Sequence, residues 1–363
     1  MRDVLGESDA RDVSVPATRR SRRAVTAERA RDVRGAGPVP SRIPLVALAA
    51  GLIVVVALIV TAVVAPTSPL PTRAQDGLTL AISVLVESLP FVVLGVLLSI
   101  VVQVWVPPGV IEQWMPRSGW GRRAVLSLLG MLVPVCECGN VPFARGLMMR
   151  GFTVPESLTF LIAAPIVNPI VIITTHQAFG FDDGILIARL LGGYAVANLI
   201  GWLYSRHPDP DALVTDRFRA ACEFVETDDT GRARRSLAQF VVELRAVMPA
   251  LILGSAIAGA VQVLVPREAL LAIGSNPALS IVAMIALAMI VSICSNVDAF
   301  FALSFASTFT PGSLVAFLLV GPLVDVKMLA LLRTTFRTRV LAGLVTIVLL
   351  FAVAVGGVVN LLA

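Results

Sequence analysis

The chain is 363 residues long, 57% of them hydrophobic, with a mean hydropathy of +0.88. Soluble domains sit nearer half apolar, so the excess excludes an ordinary water-soluble globule and points to the bilayer. The net charge of +5 is carried almost wholly by arginine, Lys327 being the one lysine, and reads as membrane orientation rather than as a nucleic-acid surface.

Residues 1–42 are Arg-rich and show no apolar periodicity, which predicts a disordered cytoplasmic tail. The first apolar run, 43–65, starts too late and is too long for a cleavable signal, so it is expected to remain as a leading transmembrane helix. Further apolar runs follow at 79–106, 154–178, 185–205, 239–265, 313–332 and 340–362, each about long enough to cross a hydrocarbon core of roughly 30 Å. Two more, 124–150 and 277–306, are apolar at both ends and broken in the middle. Between them lies a charged stretch, 206–237, whose Pro-Asp turns place it in water.

The chain repeats itself. Val101–Pro107, VVQVWVP, returns as AVQVLVP at Ala260–Pro266. CGNV at Cys138 returns as CSNV at Cys294, and FLIAAPIVNP at Phe160 returns as FLLVGPLVDV at Phe317. The order is kept and the spacing is nearly constant. This predicts repeat one at 79–205 with a hairpin at 124–150, and repeat two at 238–362 with a hairpin at 277–306.

Arginine placement sets the topology. With the tail inside, Arg117, Arg122, Arg123, Arg145, Arg150 and the arginines of 206–237 all fall inside only if 124–150 enters and leaves on one side. Pro134, Gly139 and Pro142 are expected to break it at mid-bilayer. The expected fold is an all-α integral membrane protein of about seven full transmembrane helices plus two re-entrant hairpins in two inverted repeats. The alternative count, about nine full spans, makes the repeats parallel. The N-terminus is expected in the cytoplasm and the C-terminus outside.

Irregular backbone at membrane depth survives where it lines a cavity or is buried in protein, and embedded polar residues are functional candidates. Cys136, Cys138 and Cys294 offer soft sulfur ligands suited to a thiophilic metal or metalloid. Asn140, Asn296 and Asn168 are candidate substrate contacts, and Asp298 and Asp325 candidate proton carriers. The plainer alternatives stand beside these. Cysteine is often a small buried hydrophobe, and Asn140 and Asn296 could cap the returning half-helices. Glu87, Glu137 and Glu243 could face protein or headgroups, and Arg145 could snorkel to the inner face. No phosphate-binding GxxxxGK[ST] loop, Ser/His/Asp set or HExxH occurs, so neither an enzyme nor a bound cofactor is expected.

With PVCECGNVPFARGLMMRG…FLIAAPIVNP and CSNVDAFFALSF…SLVAFLLVGPLVDVKMLALL, the chain resembles the ArsP-type permeases, the bacterial group that includes YraQ-like proteins, over about residues 79–340. The resemblance implies a multi-pass inner-membrane permease. Its best-understood members export trivalent organoarsenicals with cysteines binding the arsenic, a role that by position would fall on Cys136, Cys138 and Cys294. The reading is therefore efflux of a soft, thiol-reactive solute. Transport of a metal ion or small sulfur compound is one alternative. A membrane subunit exchanging thiols with a partner is another.

Overall fold

The computed structural model describes residues 72–362 except 108–109, 134, 182–183, 224–230 and 265–276. The Arg-rich tail, the leading run 43–65 and Pro134 lie outside the described residues. In chain order come α1 (Thr72–Ile100, prolonged by a wide turn to Trp105), α2 (Val110–Trp114), α3 (Gly119–Leu128), α4 (Glu137–Met149), α5 (Val154–Ala163), α6 (Pro169–Phe179) and α7 (Ile185–Tyr204). After α8 (Asp216–Glu223) the series continues as α9 (Arg232–Leu264), α10 (Pro277–Val291), α11 (Asp298–Leu303), α12 (Pro311–Val320), α13 (Val326–Leu332) and α14 (Thr338–Leu362). The described residues contain no named β-strand, only an isolated bridge between Val214 and Phe336. Four helices, α1, α7, α9 and α14, are long and apolar enough to cross a membrane; α5, α12 and most of α10 are shorter apolar helices. The molecule is all-α.

The helix directions follow from which residues meet. The two long helices α1 and α9 run antiparallel: the Trp105 indole donates to Ser236 Oγ at 3.3 Å at one end, while Gly77 lies against Gly259 at the other. α4 runs alongside α1 in the same sense, with Gly139 on Gly95, Gly146 on Ser99, and the Arg150 guanidinium donating to the carbonyls of Val102 and Val106. α3 runs with α5: Arg122 pairs with Glu156 at 2.7 Å, and Gly130 abuts Ala164 one helix length further in. Since α4 ends where α5 begins, the chain doubles back between α3 and α4. It doubles back again between α10 and α11, where Thr310 N, beyond α11, donates to Ser280 Oγ near the start of α10 at 3.4 Å.

The two doubled segments open at opposite ends of the bundle. α7 passes antiparallel along α5 and α6, placing Gly201 at Thr159, Gly193 at Ile166 and Arg189 at Thr175. Tyr204 at its end donates to Val340 O at 2.8 Å, which puts the start of α14 at the end holding Arg122 and Arg150. Gly312, just past the α11–α12 turn, meets Gly356 near the far end of α14. Arg206, Arg217, Arg234, Arg235, Arg333, Arg337 and Arg339 follow their helices to the first end, which is strongly basic.

Several local expectations are corrected. Of the residues expected to break 124–150, Gly139 and Pro142 both lie inside α4, which starts at Glu137. A Cβ on Gly139 or Gly95 would run into the other helix's backbone, so Gly139 serves close packing of α4 on α1 rather than a bend. The runs 154–178 and 313–332 are not continuous helices: each is interrupted, at 164–168 and 321–325, and restarts under a side-chain cap from Asn168 or Asp325. The stretch 206–237 is not a free loop. Leu213, Val214 and Phe218 are buried, Thr215 N donates to Thr335 O at 2.9 Å, and Arg337 N donates to Leu213 O at 3.1 Å.

Candidate functional site: a buried thiol and ion-pair centre

The tips of the two doubled segments meet in the middle of the bundle. Cys136 is the N-cap residue of α4 and Cys138 sits in its first turn, while Cys294 lies on the unwound stretch 292–297. That stretch includes Ser292 at φ +49°, a left-handed conformation that non-glycine residues rarely adopt. The Cys136 thiol lies beside those of Cys138 and Cys294. The two sulfurs of Cys136 and Cys138 and a Glu137 carboxylate oxygen lie within 4.8 Å of one another. All three thiols are buried and free of disulfides.

Beside them is a charge cluster. Glu137, wholly buried, accepts from Lys327 Nζ at 3.3 Å through one oxygen. Its other oxygen accepts from Ser295 Oγ at 2.9 Å and from Ser295 N at 3.4 Å, with Cys294 Sγ at 3.9 Å. Lys327 also lies 4.0 Å from Asp325, whose other oxygen caps α13 at Met328 N. Glu137 thus ties the tip of one segment to the tip of the other and to α13. Taking such a pair out of water costs several kcal/mol per ion, about repaid only with these additional hydrogen bonds.

A second pair lies between this centre and the far end. Arg189 on α7 holds Asp298 through both nitrogens, at 3.0 and 2.6 Å, and donates to Thr175 Oγ1 at 2.7 Å. A third lies toward the basic end: Arg145 Nε meets Glu243 at 2.9 Å, its Nη1 donates to Thr335 Oγ1 at 3.1 Å, and its guanidinium sits 4.4 Å from the Phe218 ring centre. Arg145 is 3% exposed, so it does not snorkel to a headgroup. The second and third pairs each join the short helix after a doubled segment's tip (α11 or α4) to a long helix (α7 or α9).

The asparagines divide. Asn168 Nδ2 donates to Val135 O at 3.0 Å and its Oδ1 caps α6 at Ile170 N, so both ends of its amide hold backbone. Asn140 is wholly buried, caps nothing, and neither end of its amide has a partner among the described residues. Asn296 is half-buried, also caps nothing, and its Oδ1 has no partner among the described residues. Sequence reasoning missed Arg189, Lys327 and Ser295, and gave Glu137 no part in the centre. The available signal was the single lysine of the chain, placed two residues after Asp325 in an apolar run.

Two sulfurs and a carboxylate oxygen within 4.8 Å of one another, with the Cys294 sulfur 3.9 Å from the same carboxylate, can hold a soft cation or a thiol-reactive electrophile, and the ammonium of Lys327 can balance the charge of deprotonated thiols. The profile of a family described as "Predicted permease", ArsP_1, matches residues 74–361. The chain belongs to this permease family. A Streptococcus mutans protein, named as a candidate two-component membrane permease complex subunit, is 33% identical over 298 residues, covering 79% of this chain and 97% of the relative. The UPF0718 protein YcgR of Bacillus subtilis is 35% identical over 273 residues, covering 75% and 93%. The UPF0718 protein YraQ of Escherichia coli is 28% identical over 118 residues, about a third of each chain. No solved structure matches. Every element of the thiol centre and all three buried ion pairs fall inside the span matched to the permease family, and the protein is multi-pass in the membrane.

Proposed function

We propose that this permease is a secondary-active exporter of a soft, thiol-reactive solute, such as a trivalent organoarsenical, held at mid-membrane by Cys136, Cys138 and Cys294. The observation that carries the reading is the meeting of thiols from two doubled segments that open at opposite ends. In this reading the segments are re-entrant hairpins of inverted repeats, the arrangement in which transporter substrate sites form at the repeat interface. The basic end is cytoplasmic by the positive-inside rule, and the C-terminus is then extracytoplasmic in the inner membrane. The Arg145–Glu243 pair closes the cytoplasmic side and the Arg189–Asp298 pair the outer side, so alternating access opens one while the other holds.

Binding a soft centre to thiols releases their protons, because the thiolate is the ligand. Asp325 and Asp298 are the carboxylates placed to pass protons on, each already facing a cation that adjusts when a proton arrives. Asn140, with both amide ends unengaged, supplies a polar contact to the rest of the solute. Asn296 contributes from the second tip, and Asn168 positions Val135 and so the first tip.

The test is energised uptake into everted vesicles of trivalent methylarsenical, Zn²⁺ and Cu⁺, each offered to wild type and to Cys136→Ser/Cys138→Ser. Uptake of one of them that the double variant loses, with the protein still folded, supports the reading and names the solute class. Uptake that survives without the thiols overturns it.

A second reading comes from the name of the S. mutans relative: the chain acts as one subunit of a two-component permease. The purified chain reconstituted alone would then transport nothing, and activity would appear only with a partner present.

A further inference from the structure

A groove of about 770 Å³ runs down the outside of the bundle between α9 and α13. Its upper rim is at the basic end and carries Arg217, Arg245 and Arg333, with Arg145 behind them. Below the rim its wall is apolar, through Pro249, Leu253 and Ile257 on α9 and Leu329 and Ala330 on α13. Leu253 is 60% and Ile257 42% exposed, which places this wall against acyl chains. No acidic residue lines the groove. Arg145 is neutralised by Glu243, but Arg217, Arg245 and Arg333 form no ion pair among the described residues. Arg245 is the decisive one. Its Nε and Nη2 are shut off from solvent, yet neither has a hydrogen-bond partner among the described residues. Two desolvated guanidinium nitrogens without an acceptor are costly, so their environment calls for an anion there.

We propose that this groove is a binding site for an anionic phospholipid of the basic-end leaflet. Its phosphate is held by Arg245, Arg333 and Arg217 and one acyl chain lies along the apolar wall. Basic pockets between transmembrane helices recognise lipid headgroups in this way, and the guanidinium fork matches phosphate oxygens in pairs. A soluble anion would satisfy the arginines but leave the apolar lower wall unused, which favours the lipid. The groove reaches Val326, next to Lys327 and Asp325 of the buried centre. An occupant there braces α13 against α9.

The experiment uses the full chain in nanodiscs of phosphatidylcholine with or without 30% phosphatidylglycerol, reading the thermal midpoint and, by native mass spectrometry, the lipid retained. Wild type is expected to keep phosphatidylglycerol and to melt higher in its presence. Arg245→Ala/Arg333→Ala is expected to lose that preference, by about fivefold in affinity for each arginine removed. Arg206→Ala, at the same end but outside the groove, is expected to keep it. Should the alanine pair fail to fold, Arg245→Lys/Arg333→Lys keeps the charge and loses the fork, and is expected to retain the lipid more weakly. Equal behaviour of wild type and variants overturns the proposal. So does a midpoint shift that inorganic phosphate reproduces in pure phosphatidylcholine, which would make the groove a soluble-anion site.

Discussion

Three residues of the buried centre differ sharply in what their loss should do. Lys327 faces Glu137 with both side chains almost wholly buried. Lys327→Met strands a carboxylate and is expected to destabilise by about 3–5 kcal/mol, whereas Lys327→Met/Glu137→Gln should recover most of that loss. Thermal unfolding of the pair and of each single variant in detergent reads the difference. Asn140 and Asn168 make the sharper contrast. Asn168→Leu removes a helix cap and a contact to Val135 O, and should cost about 0.5–2 kcal/mol or more. Asn140→Leu removes a buried amide with no partner, so the fold should be at least as stable while transport of the solute weakens. A large loss of stability in Asn140→Leu would mean that the amide is engaged in holding the fold.

At the level of elements, the close approach of α1 and α4 places the thiol-bearing tip. Gly95 and Gly139 lie face to face with no space for a Cβ, and the next contact along is Gly146 on Ser99. Gly139→Ala or Gly95→Ala must push the helices apart and is expected to cost about 1–3 kcal/mol through overpacking. It should also displace Cys138, one residue from Gly139. Gly357→Ala in α14 meets nothing within 4 Å and should be neutral or slightly stabilising. Thermal midpoints, together with thiol alkylation rates at Cys138, separate a shift of the tip from a general loosening.

For the whole molecule, the proposed inverted arrangement makes a labelling prediction. Arg117 precedes α3, and His207 lies in the stretch after α7; both are exposed. In a Cys222→Ser background and with an impermeant maleimide, Arg117→Cys and His207→Cys are both expected to react only in everted vesicles, the native tip thiols being buried. Labelling of His207→Cys from the side opposite to Arg117→Cys would favour the arrangement of about nine full spans. The paired ion bridges make a second prediction at this scale. Glu243→Gln should bias the protein toward the state open at the basic end and Asp298→Asn toward the state open at the far end. Opposite changes in accessibility at the two ends would check it.

Composition and apolar run length were enough to determine an all-α protein of the membrane, and the recurrence of CGNV as CSNV was enough to bring Cys136, Cys138 and Cys294 forward together. Those features are local: run length is set by bilayer thickness, and a repeated motif is visible without coordinates. The same local reading counted Gly139 and Pro142 among the residues that break the first segment, and both lie inside α4. A glycine looks alike in sequence whether it bends a helix or admits a neighbour, and only the position of Gly95 decides between them. The sequence left Glu137 facing either protein or headgroups and read Arg145 as reaching the inner face, and the packed bundle buries both against partners more than ninety positions away, Lys327 and Glu243. Charge pairing at that separation is fixed by which helices touch. So is the different fate of Asn140 and Asn168, the first left unpartnered and the second holding two strands of backbone. The chain's own chemistry determined its solvent, its doubling and its thiols. Tertiary contact decided which buried charges are matched, because a desolvated ion is stable only beside the group that the fold brings to it.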